Sequence, residues 1–212
     1  MFRVLLSLCC VIWAVGCVPQ KPEKKAAEKA PMERPMGEQP ANPHGNMNSG
    51  PGLDVNSLLA NLPEGWSKTT PASSMRLGQV MMAKTGGDAA DAEMAVFHFP
   101  GTGGSSMANL ERWEGQMQGP NGEPGASVSK IDSMKLDNGI VVITVDITGT
   151  LLPSSMGTGP TTEQKDYRMI ASVLETPAGN YFLKVTGPKN TVAAHYDKYR
   201  AFLKTAKLGG AA

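Results

Sequence analysis

The run "IVVITVDITGTL", residues 140 to 151, leaves the chain around it few choices. Its residues are nearly all strand formers, whose stiff side chains suit a pleated surface. Just before it, Asp137-Asn138-Gly139 marks a tight turn, because Asn-Gly tolerates positive φ at both turn positions. "SVSKIDSMKL" on the far side of that turn completes a predicted hairpin. An isolated hairpin is marginal in water, so the rest of the chain has to extend the sheet and cover it.

Further strands are close by. "MRLGQVMMA" (75–83) and "AEMAVFHF" (92–99) flank the turn "KTGGDAAD", and "DYRMIASVLE" and "YFLKVTG" flank "TPAGN". In the second of these strands Ala95, Phe97 and Phe99 alternate with Met94, Val96 and His98. Neither set is polar, which predicts cover on both faces. Met107, Leu110, Trp113 and Met117 are spaced for one face of a helix, with Ser105 or Ser106 as N-cap and Gly119-Pro120 as the stop. Val192, Tyr196, Tyr199 and Leu203 predict a second helix, capped by Asn190 or Thr191. "DVNSLLANLPEGW" is expected to open the domain as a short helical turn, with Trp66 packed beneath. The order β-β-α-β-β-β-β-α predicts an α+β domain over 54–208: a mostly antiparallel sheet of about six strands with helices on both faces, then a tail at 209–212.

Residues 17–53 are different in kind. Prolines, interleaved Lys and Glu and almost no large apolar residue predict a disordered tether, since such a segment cannot bury enough surface to offset its ordering entropy. As a coil it would span roughly 30–35 Å. Residues 1–16 carry Arg3, then an apolar run from Val4 to Val15, then Gly16. That run is too short to cross a bilayer core of about 30 Å, and it reads as a secretory signal. "AVGC" resembles the lipobox of bacterial lipoproteins, with Ala14 where that family usually has leucine. The resemblance implies cleavage between Gly16 and Cys17, a diacylglyceryl group on the Cys17 sulfur and acyl chains of the palmitate kind. More than one chain gives stable anchoring. Val18 after the cysteine favours, by family analogy, the outer membrane where the organism has one. Cys9 and Cys10 would leave with the signal, so no disulfide and no cysteine zinc site is expected in the domain. A formal charge of +1 makes no case for nucleic acid.

The span from "NLPEGW" to "AFLKTAK" resembles the PsbP/Mog1-like α/β/α sandwich. More narrowly, it is similar to bacterial lipoproteins carrying FPG-x-GG, then N-x-x-RW-x-x-Q, then a strand ending KVTGP. Here those are Phe99-Pro100-Gly101, Gly103-Gly104, Asn109, Arg112-Trp113, Gln116, and Lys184 to Pro188. The resemblance implies a binding module more than an enzyme.

Several constellations invite chemistry. "GTGGSS" (101–106) has no lysine after its last glycine, which a phosphate-cradling P-loop requires, and is expected to be a turn and a helix cap. Ser127-x-x-Lys130 and Lys84-Thr85-Gly86 match signatures of penicillin-interacting enzymes, but in reversed order and outside their structural context. His98 and His195 are expected to be structural. Asp146 shares a strand face with Thr144 and Thr148, and Arg168 and Lys184 are expected on neighbouring strands. These three predict either cross-strand ion pairing or a polar floor that grips an anion, with Arg112 as a rim. Met32, Met36, His44 and Met47 in the tether are soft ligands of the kind copper prefers. The expectation is a non-catalytic, membrane-anchored binding or scaffold domain for an envelope protein or cell-wall component, with no cofactor. The rivals are a small-molecule site or enzyme on the Asp146, Arg168, Lys184 face, and copper handling by the tether.

Overall fold

Residues 52–101, 103–154 and 160–209 are described by the structure, a computed structural model. The leader, Gly16, Cys17 and the tether ligands Met32, Met36, His44 and Met47 lie outside these residues. The described chain opens with a hairpin, β1 (Gly52–Val55) and β2 (Leu58–Asn61), where a helical turn is expected. Asn56 and Ser57 between the strands both have positive φ, 47° and 71°, as a two-residue type I′ turn demands. Serine is a poor residue for that conformation, so the turn carries no sequence signal. The apolar alternation Leu53, Val55, Leu58, Ala60 does, and all four are buried.

There follow β3 (Trp66–Thr69), β4 (Gly78–Met82), β5 (Ala92–His98), α1 (Ser106–Glu114), β6 (Met117–Gln118), α2 (Gly125–Val128), β7 (Lys130–Lys135), β8 (Val141–Leu151), β9 (Gln164–Glu175), β10 (Tyr181–Pro188), α3 (Lys189–Ala194), α4 (Tyr196–Lys204) and β11 (Lys207–Leu208). The main sheet runs β3-β4-β5-β10-β9-β8-β6, with β7 also on β8, and every pair is antiparallel. Eight strands stand where about six are expected. The additions, β3 and β6, are too short to show a period. A separate sheet, β1-β2-β11, carries the remaining three.

The sheet packs two cores. Ile170 and Leu174 of β9 share one with Tyr199, Phe202 and Leu203 of α4 and with Leu53 and Leu58. Met169, Ala171 and Val173, alternating with them, share the other with Leu110 and Trp113 of α1. Each large side chain so buried contributes about 1.5–3 kcal/mol relative to exposure. A polar line through the first core is satisfied internally. Tyr199 Oη donates to Ser172 Oγ at 2.8 Å, and Ser172 Oγ lies 2.7 Å from Thr144 Oγ1. Burial pushes the Tyr199 phenol up.

Four boundaries differ from expectation, each for a tertiary reason. Helix α1 stops at Glu114, so Met117 is buried in β6 instead, while Met107 is left 53% exposed. Residues 125–128 form α2 before β7 begins. The Asp137-Asn138-Gly139 turn has positive φ at Gly139 alone, 88°, and is a three-residue loop closed by Leu136 and Ile140. Asn138 is occupied elsewhere, its Nδ2 donating to Ala206 O at 2.8 Å. The last helix is two. His195 breaks it, accepting from Trp66 Nε1 at Nδ1 (3.0 Å), so Nε2 carries the proton it donates to Ala83 O (3.0 Å). The cap for α3 comes from Asp88, whose carboxylate accepts from Thr191 N at 2.7 Å and Asn190 Nδ2 at 3.0 Å.

Strands β7 and β6 share one edge of β8, β7 along Val141–Asp146 and β6 at Thr150–Leu151, with an irregularity between Gly149 and Leu151. A Cβ at Gly149 would lie 1.9 Å from Gln118 O, so only glycine lets β6 reach that edge. Gly149→Ala is expected to cost at least about 2 kcal/mol through forced backbone movement. The midpoint of urea unfolding reads this, and an unchanged midpoint would contradict the packing described.

A candidate ligand groove beside Lys184

The expectation that β5 is covered on both faces holds at Met94, Ala95 and Val96, which are buried, and fails at Phe97 and Phe99, which are half-buried. The reason is the position of α1, which runs along the strands with its main contacts on β9 and β8. The uncovered strip of sheet forms the floor of a groove of about 390 Å³. Its walls are Phe97, Phe99, Trp113 and Phe182, with Met75 and Leu152 at the margin. Phe99 stands 6.2 Å from Phe97 and 6.1 Å from Phe182, and Trp113 meets Phe182 edge-on at 6.3 Å. Such offset and edge contacts hold aromatic rings in place.

The loop before α1 supports this wall. Ser105 Oγ accepts from Ala108 N at 3.2 Å as N-cap, and Asn109 Nδ2 donates to Gly103 O (2.7 Å) and Ser105 O (2.9 Å). Gly103 lies flat on Phe182, whose ring a Cβ there would approach to 2.9 Å. "GTGGSS" is therefore a turn, a cap and a close-packed wall. Residues 101, 103 and 104 need to be glycine for backbone shape and close approach, Gly101 and Gly104 having φ of 70° and 75°.

Lys184 stands in the middle of β10, between Ala95 and Ala171 on its neighbours. It is 8% exposed. Its Nζ donates to Gln116 Oε1 at 3.2 Å, a neutral and rather long contact, and no carboxylate lies within ion-pair distance among the described residues. An ammonium has three hydrogens to place. Burial pushes it down to about 8, repulsion from Arg76 and Arg112 adds to that, and attraction to Glu93 opposes it. Arg76 is itself committed, donating from Nη1 to Glu93 Oε1 (2.6 Å) and Gln79 Oε1 (2.7 Å). Arg112 donates to the neutral Asn109 Oδ1. On the other side of Lys184 lies a second hollow of about 350 Å³, where Arg76, Glu93 and Asp91 are found.

The predicted polar floor is not one surface. Asp146 and Arg168 do pair, Oδ1 with Nε at 2.8 Å and Oδ2 with Nη2 at 2.6 Å, and Arg168 lies over the Tyr196 ring at 4.8 Å. That is the cross-strand reading. Ile170, which shares its face with Arg168, opposes Asp146 on one side and Val185 on the other. Lys184 is one residue from Val185, and a single-residue step turns a side chain to the opposite face. Lys184 and Arg112 therefore meet in the groove while Asp146 and Arg168 lie across the sheet. There a smaller cleft of about 200 Å³ is lined by Asp146, Asp132 and Arg200, and the last two pair at 2.9 Å. Ser127 and Lys130 are exposed on α2 and β7. Gln116, Phe97 and Phe99 were not foreseen as site residues. The available signal was a lysine inside the apolar run "YFLKVTG".

The sequence matches no protein-family model and no curated protein. Among solved structures it is similar to PA94 from Pseudomonas aeruginosa, a protein of unknown function, at 11% identity and a TM-score of 0.42, over 76% of this chain and 97% of that one. It is also similar to the cyanobacterial PsbP (CyanoP) of Synechocystis sp. PCC 6803 at 10% identity and a TM-score of 0.45, over 72% and 87%.

The depressed Lys184 carries a stability signature. Below pH 8 the ammonium is charged in both folded and unfolded chains, and the folded one bears its desolvation. Between about 8 and 10.5 the unfolded chain binds the extra proton, so stability from this group rises with pH. Lys184→Met is expected to be more stable than the parent at pH 7, by roughly 1–3 kcal/mol. That advantage should shrink as pH climbs from 8 to 10, in urea titrations at several pH values. A constant gap would mean that Lys184 is solvated.

Proposed function

We propose that this chain is a membrane-anchored extracytoplasmic lipoprotein whose folded part, a PsbP/Mog1-like α/β/α sandwich, is a non-catalytic binding module working through the Lys184 groove. The observation that carries the reading is an aromatic-walled groove whose cations, Lys184 and Arg112, have only neutral amide partners among the described residues. Apolar walls with a few convergent polar groups are what binding sites use. An ionisable group perturbed by burial and lying in a cleft is a candidate for a functional site. His195 is held as a structural group: both its ring nitrogens are engaged, Nδ1 by Trp66 Nε1 and Nε2 by Ala83 O. His98 bonds Asn180 O through Nδ1 (3.0 Å) and stacks on Tyr181 at 4.1 Å.

The anchor is Cys17, cleaved from Gly16, and the partner is an envelope protein or cell-wall component met at the membrane. A weak contact suffices there, since tethering raises the effective concentration. The small-molecule or enzymatic alternative on an Asp146, Arg168, Lys184 face loses its geometry. Copper handling belongs to the tether alone and is independent of the groove.

Two measurements in intact cells test this. Cys17→Ser should abolish acyl labelling and release the chain from the membrane fraction. A photo-crosslinking residue in place of Met75 or Pro153, at the groove, should capture one reproducible envelope component, while one in place of Arg200, across the sheet, should not. Equal capture from both faces, or none, would overturn the assignment of the groove as the binding surface.

A further inference from the structure

We infer that the Lys184 groove takes an amphipathic anion: an apolar chain or ring carrying one anionic group, presented by the envelope component that the module binds, which seats on Lys184 and Arg112. This rests on the groove being the binding surface, and names the chemistry of its occupant.

Charge is the first argument. Lys184 and Arg112 are the ionisable residues lining the groove, and no Asp or Glu lines it. Every ion pair recorded among the described residues lies elsewhere, and the nearest, Arg76–Glu93, is internally matched. The sheet face opposite shows the contrast, since there Asp146 meets Arg168 and Asp132 meets Arg200. Geometry is the second argument. Lys184 is nine-tenths buried and, among the described residues, offers two hydrogens that no acceptor takes, beside a single contact to Gln116. Arg112 is exposed at the mouth, with one neutral contact to Asn109. An anion between the two would be held by charge-assisted hydrogen bonds, about twice as strong as neutral ones.

The walls supply the third argument. Phe97, Phe99, Trp113 and Phe182 give the anion's apolar body aromatic surface, and at about 390 Å³ the groove has room for one such group of a larger partner. A purely inorganic anion would leave those rings in water, and a neutral apolar molecule would leave the ammonium unanswered. Arg76 and Glu93, which also act on Lys184, keep their mutual pairing throughout.

The experiment titrates the full chain, carrying Cys17→Ser so that no lipid competes, with 4-phenylbutyrate, 4-phenylbutanol, 4-phenylbutylamine and acetate, read by protein-detected NMR. The carboxylate with its ring should bind, and the neutral alcohol, the amine and acetate should each bind about tenfold more weakly or worse. Affinity should fall as pH rises through about 8, where Lys184 loses its proton. Lys184→Arg should keep affinity at pH 9, and Lys184→Met should lose it. Arg112→Glu, at an exposed position that does not endanger folding, should also weaken the carboxylate, and Arg200→Ala should leave it unchanged. Equal binding of alcohol and carboxylate, or insensitivity to both Lys184→Met and Arg112→Glu, would overturn the inference. If no probe binds while the groove crosslinkers still capture an envelope component, the anion inference falls and the binding-module reading stands. If neither is seen, both fall.

Discussion

The ladder between β9 and β10 is the constraint on which the other layers depend. From Met169 to Leu174 every residue of β9 is buried, and β10 is buried along nearly all its length. Strands covered on both faces must present apolar side chains both ways, and successive residues of β9 accordingly serve two different cores. Helices α1 and α3 pack on this ladder, α4 and the small β1-β2-β11 sheet share a core with it, and the wall loop rests on Phe182. Disrupting its register by one residue would exchange the two cores and strand Ser172, which now sits in a line of hydroxyls with Thr144 and Tyr199.

Lys184 is where that constraint conflicts with chemistry. Its place in β10 puts an ammonium under cover, next to Phe182 and between two alanines, with one amide as partner. Asp146 and Arg168 face a comparable problem across the sheet and solve it by bidentate pairing, a geometry in which each charge answers the other. Arg76 solves it with Glu93 and Gln79. Lys184 alone among these central charges is left to a neutral neighbour, and it is the one that borders an aromatic groove. The groove itself follows from where α1 sits: its main contacts are with β9 and β8, and Phe97 and Phe99 are left half-buried.

Much of the architecture was legible because it is local. The alternation in 92–99, the strand formers of 140–151 and the apolar spacing of Leu110 and Trp113 each follow from contacts within a few residues, and those elements stand where the sequence put them. What was not legible came from distant partners. The β1–β2 hairpin turns on two residues with unfavourable positive φ, held because the hairpin buries Leu53 and Leu58. The last helix is broken by His195, whose ring is tied to Trp66, 129 residues away. Its first half is capped by Asp88, a residue in another turn. The candidate site was half legible: Lys184 and Arg112 could be named, but pairing them with Asp146 and Arg168 required a register that only the sheet reveals.

By itself the sequence determined the period of each strand and helix, the position of most turns, and the contrast between a polar, proline-rich stretch and an apolar domain, because these depend on side-chain type and spacing along the chain. The tertiary structure decided which face each charge occupies, which charges are answered, and where cover stops. Face follows from register, register from the pairing of strands far apart in sequence, and cover from which strands a helix packs over. For this protein, those decisions separate Lys184 from Asp146 and place it with Arg112 beside four aromatic rings.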